Sequence, residues 1–237
     1  MKITINKIEK LRNEAEVFES ILSLDNQNIL ELGCGDATLT RLIATTGFNR
    51  SITATEVDAI RHEKNLLIED LPNVEFSLSG CENIPAADNH FDTVFMFKSF
   101  HHVPVQQMNS SLKEIKRVLK LNGIAYISEP IFSGDFNEVL RIFHDEEAVR
   151  NAAFETISEA INNEMFLLKD ELFFNSLTSF QNFEQFEEKV IGTTHTQHNL
   201  SDEQYAKVKS LFNQTHAKNN GDFIIPIRVD LLQKQAA

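Results

Sequence analysis

The stretch Ile29-Leu30-Glu31-Leu32-Gly33-Cys34-Gly35-Asp36-Ala37-Thr38-Leu39-Thr40 decides how this chain is read. A short apolar run meets two glycines one residue apart, and residues compatible with a helix follow, with Asp36 as the expected cap of a helix reaching about Thr46. Strand, tight loop and helix N-terminus in that order bring backbone N–H groups close to a ligand. Glycine turns sharply and has no Cβ to hold the ligand away. The third glycine of the pattern G-x-G-x-x-G is absent, with Thr38 in its place, and Glu31 at the strand tip would repel a pyrophosphate. Both features count against a nicotinamide-dependent oxidoreductase.

Upstream, Ile8, Leu11, Ala15, Phe18, Ile21 and Leu22 recur at helical spacing and predict an amphipathic helix over about residues 6–24. Downstream, Ser51–Glu56 and residues 73–78 read as strands two and three, with a helix over about 58–69 between them. Phe91–Phe97 is almost continuously apolar after Asp92, as suits a central strand covered on both faces. Leu112, Ile115, Val118, Leu119 and Leu121 predict a helix ending near Asn122-Gly123, before strand five at 124–128. Strands alternating with helices predict an α/β fold, a doubly wound, mostly parallel Rossmann-like sheet with helices on both faces. Beyond Pro130, residues 135–168 are expected to form a helical cap, Leu172-Phe173-Phe174 a short strand, 201–218 a helix and 223–234 a final strand. Pro226 inside that last strand implies a bulge or an edge position on one side.

A length of 237 residues suits one domain, and 42% hydrophobic residues is ordinary for a globular protein. The formal net charge of -13 opposes binding to phosphate backbones, so no nucleic-acid partner is expected. No apolar run reaches membrane-spanning length, and Met1 to Lys7 lacks the apolar core of a signal peptide. A cytoplasmic protein without a membrane partner is the expectation. Cys34 and Cys81 form no C-x-x-C and imply no disulfide framework.

Glu56 ends strand two about twenty residues after the glycine loop, the spacing that sets a carboxylate on a ribose diol, while Asp58 suits the cap of the next helix. Two further runs follow: Gly80-Cys81-Glu82-Asn83-Ile84-Pro85 ahead of Phe91-Asp92, and Arg117-Val118-Leu119-Lys120-Leu121-Asn122-Gly123 before strand five. Taken in order over about residues 28–130, these segments resemble the class I S-adenosylmethionine (SAM) dependent methyltransferases of the small-molecule type. The resemblance implies that residues 1–130 are a SAM-binding core within a single domain spanning 1–237. It implies that Glu31 attracts the amino group and sulfonium of SAM, that Gly33, Cys34 and Gly35 form its loop, and that Glu56 and Val57 meet the ribose and its surroundings. Phe97 ends strand four beside them. Gly80 stands where the family has an aspartate, so the adenine is expected to be read by the backbone around Cys81 or by Glu82. The implied reaction is in-line methyl transfer to a small-molecule acceptor, in a pocket between the sheet edge and the cap. A non-catalytic SAM-binding or regulatory protein of the same fold is the alternative, and an NAD(P)-dependent oxidoreductase a weaker one.

His101 and His102 follow strand four at the mouth of the expected cleft, where a neutral imidazole could take a proton from a hydroxyl or amine. Capping or packing is the plainer role for such a pair. His195 and His198 have a spacing that could chelate a metal, but no acid or cysteine stands beside them, and no metal is expected. His144, next to Asp145, Glu146 and Glu147, reads as part of a solvated helix face.

Overall fold

The computed structural model describes residues 1–192 and 198–235. Strands β1 (Asn28–Leu32), β2 (Ser51–Glu56), β3 (Val74–Leu78), β4 (Phe91–Phe97), β5 (Leu119–Pro130), β6 (Leu167–Ser179) and β7 (Asp222–Gln233) form one sheet in the order β3-β2-β1-β4-β5-β7-β6. The first five run parallel, and β7 is antiparallel to both β5 and β6. The helices are α1 (Glu14–Ile21), α2 (Thr38–Thr45), α3 (Ala59–Asn65), α4 (Val105–Val118), α5 (Asp135–Leu140), α6 (Glu147–Asn162), α7 (Phe183–Phe186) and α8 (Asp202–Lys218).

Side chains alternate across a strand, so neighbouring apolar residues feed two different cores. Ile29, Ile52, Phe95 and Tyr126 pack with Phe18 of α1 and Ile43 of α2 on one face. Leu30, Val94, Met96 and Ile127 pack with Leu112 and Ile115 of α4 and with Ala153 and Ile157 of α6 on the other. The strand order reverses between β1 and β4, and the crevice outside their carboxyl ends is where this architecture holds ligands.

Several expectations need correction. The leading helix is confined to Glu14–Ile21, because the Asn13 side chain caps it by accepting from the Ala15 amide at 2.8 Å. The residues before it serve β6 instead: Arg12 N–H donates to the Asn175 carbonyl, and Asn175 N–H to the Lys10 carbonyl, which covers part of an open sheet edge. Asp36 does not cap α2. Ala37, in the left-handed region at φ 59°, takes that position without a side-chain bond, and Asp36 accepts from the Thr38 hydroxyl at 2.9 Å. Helix α4 stops at Val118, and the turn at Asn122 (φ 64°) and Gly123 lies within β5, tied down by backbone bonds exchanged with Lys234.

The cap is not the segment 135–168. Ala153, Ile157 and Ala160 bury the face of α6 in the sheet core, and residues 167 and 168 already belong to β6. The elements that stand apart are α5, α7 and α8, held by a separate cluster of Val139, Phe180, Phe183, Phe186, Val208, Phe212 and Phe223. Phe212 is its hub, with ring centroids 5.0 Å from both Phe186 and Phe223. The final strand falls within a residue of its expected bounds. Its proline sits where pairing with β5 has ended, beyond Pro130↔Ile227, so the missing N–H costs no ladder bond and the Pro226 carbonyl still accepts from Ile131.

Because the cap has a core of its own, Phe212→Ala should act locally. We expect a loss of about 3 to 5 kcal/mol for a buried ring, with hydrogen exchange accelerated in α5, α7 and α8 while β1 and β4 keep their protection. Uniform acceleration across the sheet would show that cap and core open as one unit.

Candidate functional site

The glycine loop crosses the carboxyl ends of β1, β2 and β4. The amides of Gly33 and Cys34 both donate to the Thr55 carbonyl at 2.9 Å, which pulls the loop over β2. Gly33 has φ 76°, and a Cβ there would lie 3.1 Å from the Ser99 Cβ, so only glycine fits between β1 and the turn after β4. Gly35, at φ 59°, has its carbonyl held by the Asn65 amide at 2.9 Å. Cys34 is buried beneath.

Glu56 lies at the end of β2 facing this loop. One carboxylate oxygen accepts from the Gly35 amide at 2.7 Å, and the other from the amides of Val57 and Asp58 at 2.8 and 2.9 Å. A carboxylate has about four acceptor positions, so gripping both hydroxyls of a diol would require it to release at least one amide. Asp58 caps α3 as expected, accepting from Ile60 and Arg61. Val57 is 68% exposed beside Glu56, an apolar surface open to a flat ring. Glu31 is buried behind the loop and accepts from the Thr40 hydroxyl at 2.6 Å. Burial pushes its carboxyl up to about 8 against the opposing effect of that bond.

Cys81 is buried in the core, and Glu82 is exposed. The Glu82 carboxylate fills the space a side chain at position 80 would need. Phe97 stacks on Phe95 at 4.9 Å and joins the Phe18 and Tyr126 cluster, so its ring belongs to the core.

Between the sheet edge and α5 lies a cavity of about 330 Å³, lined among others by Arg61, Lys98, His101, His102, Phe136 and Arg150. Its floor is a buried chain of charges. His101, in the turn Phe100–His102 after β4, is 4% exposed, with Nδ1 2.5 Å from Glu129 Oε2 and Nε2 3.6 Å from Glu146 Oε1. Glu129 also accepts from the Phe100 amide at 2.9 Å, and Glu146 from Arg150 Nη2 at 2.5 Å and from His144 Nε2 at 3.0 Å. Burial alone would lower the His101 pKa, but the charges of Glu129 and then Glu146 raise it to about 9. Burial likewise opposes the Glu146 charge, yet His101 and Arg150 hold its carboxyl well below the usual range.

A His101 pKa raised to about 9 favours the protonated ring at neutral pH, which argues against the base expected there, and the cause is the pair Glu129 and Glu146. His102 is the ring that stays half exposed at the cavity, its Nδ1 4.0 Å from Glu146 Oε1. Ligating atoms of His101, His102 and Glu146 come within 4.8 Å of one another. His144 and Glu146 are cavity-wall residues rather than a solvated face. His198 packs edge-on against His144, whereas His195 lies outside the described residues. Glu129 carried a signal that could have found it: an acid at the end of an apolar strand that the sheet buries.

The His101 proton makes stability depend on pH. Its folded pKa of about 9 lies above the ordinary 6.5, so its contribution is complete below 6.5 and disappears as the pH rises through 9. Urea denaturation should show the wild type losing about 3 kcal/mol more than His101→Gln over that window. Parallel pH profiles for the two proteins would refute the imidazolium.

Residues 29–123 match the family model of a methyltransferase domain. The tRNA U34 carboxymethyltransferase of Nautilia profundicola is 30% identical over 120 residues, which cover 48% of this chain and 38% of that protein. The ubiquinone/menaquinone biosynthesis C-methyltransferase UbiE of Rickettsia bellii is 29% identical over 106 residues, covering 41% of this chain and 42% of that one. The match therefore spans less than half the length of each of these relatives. In fold, the chain is similar to a methyltransferase-fold protein of Bacillus halodurans C-125, with a TM-score of 0.66 at 16% identity over 94% of this chain and 99% of the other. The matched segment holds the glycine loop and the acidic end of β2, and the order 3214576 with β7 antiparallel is shared in fold with that structure, so residues 29–123 are similar to a methyltransferase domain.

Proposed function

We propose that this protein transfers the methyl group of SAM to a small molecule held in the 330 Å³ cavity under the cap. The observation that carries the reading is the position of Arg61, which lines the cavity and whose guanidinium lies 3.1 Å from where a Gly35 Cβ would be. Phe136 and Leu140 of α5 also line the cavity. A methyl donor on the loop would then adjoin an acceptor under the cap. In this reading Gly33, Cys34, Gly35, Glu56 and Val57 hold the ribose side of the cofactor. Glu31 lies behind its amino group, Glu82 and the Cys81 backbone meet the adenine, and Phe97 contributes its backbone.

A sulfonium is already a good leaving group, so the protein has to align the nucleophile, keep water out and remove a proton where the acceptor carries one. His102 is the ring we assign to that proton. The size of the cavity and the chain's charge of -13 favour a small acceptor over tRNA.

Calorimetry should show SAM binding, weakened by about 1.5 to 3 kcal/mol in Glu56→Gln, and NADH binding tighter than SAM would overturn the cofactor. Incubation with SAM labelled in its methyl group and a cell extract should put label into the low-mass fraction. Label in tRNA alone would overturn the small-molecule reading. For a hydroxyl or amine acceptor, His102→Asn should lower turnover by about 10²- to 10⁴-fold with SAM affinity unchanged. Full turnover in that variant would remove the base.

A further inference from the structure

The charge of the cavity is opposite to that of the protein. Although the chain carries -13, the ionic groups lining this space are Arg61, Lys98, Arg150 and Lys189, together with the histidines, against the single carboxylate of Glu146. That carboxylate is already committed to Arg150, His144 and His101. The cations are less well compensated. Among the described residues no carboxylate lies within 4 Å of Lys189. The nearest to Lys98 is Glu14 at 3.9 Å, a buried acid.

Two residues of the cavity wall are held to each other. Asn137 is 4% exposed, and its Oδ1 accepts from Arg150 Nη1 at 3.0 Å, which fixes the amide so that Nδ2 points elsewhere. That Nδ2 and the Arg150 Nε are both buried with no acceptor among the described residues. A buried donor without a partner is costly, and the two stand on neighbouring cavity-lining residues of α5 and α6. A neutral or cationic acceptor would leave the cations unscreened.

We propose that the methyl acceptor carries an anionic oxygen head, a carboxylate or a phosphate monoester, held at the cavity wall by the cations Arg150 and Lys189. The inference rests on the small-molecule reading and narrows its substrate class. Charge-assisted bonds to such a head would fix the acceptor at one end, leaving the reacting atom toward the glycine loop. In a cavity with low-dielectric walls the same charges would concentrate anions that the outer surface repels.

The test uses the full chain saturated with S-adenosylhomocysteine and three probes of one shape: benzoate, phenyl phosphate and benzamide, each titrated by calorimetry. One or both anions should bind at least about tenfold more tightly than benzamide, and whichever binds better identifies the head. Lys189→Glu, at an exposed position that should leave the thermal midpoint unchanged, should abolish that preference. Equal binding of all three, binding of none, or a preference that survives Lys189→Glu overturns the proposal. The labelled-extract experiment keeps the two readings apart: a methylated small product without an acidic group defeats this inference alone, and no small product at all defeats the reading beneath it.

Discussion

The architecture of the site depends on one buried line of ionisable groups. His101 lies between Glu129 at the end of β5 and Glu146 ahead of α6, and Arg150 completes the line. Removing the positive charge would leave two carboxylates facing each other in a nearly dry space, an arrangement that costs several kcal/mol. The ion chain adds a polar tie to three parts that the apolar core already brings together: the sheet edge, the turn after β4 and α6. It defines the cavity floor and places His102, the adjacent residue, at the open side.

The glycine loop is satisfied in a different way. Glu56 binds three backbone amides, among them that of Gly35 in the loop, and Glu31 one hydroxyl, that of Thr40. Burial keeps Glu31 close to neutral, and a cation arriving nearby would favour its charged form. The loop is thus shaped in advance, and a cofactor would exchange existing hydrogen bonds for its own. Such exchange adds specificity more than affinity.

The cap is separable from this machinery in its packing. Its aromatic cluster needs no residue of the parallel strands, yet α5 supplies Phe136, Asn137 and Leu140 to the cavity. A domain can in this way keep its cofactor half constant and vary what it accepts, because the surfaces that meet the acceptor are built on a different core.

The parallel half of the fold could be read from the chain because its information is local. The run Ile29 to Leu32, the paired glycines and the apolar Phe91–Phe97 each specify strand or turn within a few residues. Glu56 could be placed for the same reason, by counting from the loop, and Gly80 could be noticed as a departure but not explained. What replaced its side chain is Glu82 folding back over it, a contact between residues two apart whose direction no spacing rule contains. The C-terminal half was harder, since apolar periodicity shows that a helix buries one face without saying against what. Helix α6 and helix α5 therefore looked alike as cap, although one closes the sheet core and the other the aromatic cluster. The chemistry of His101 was decided by tertiary structure alone: Glu129 lies 28 residues away and Glu146 lies 45, and a histidine becomes base or fixed cation according to the charges that folding brings to it.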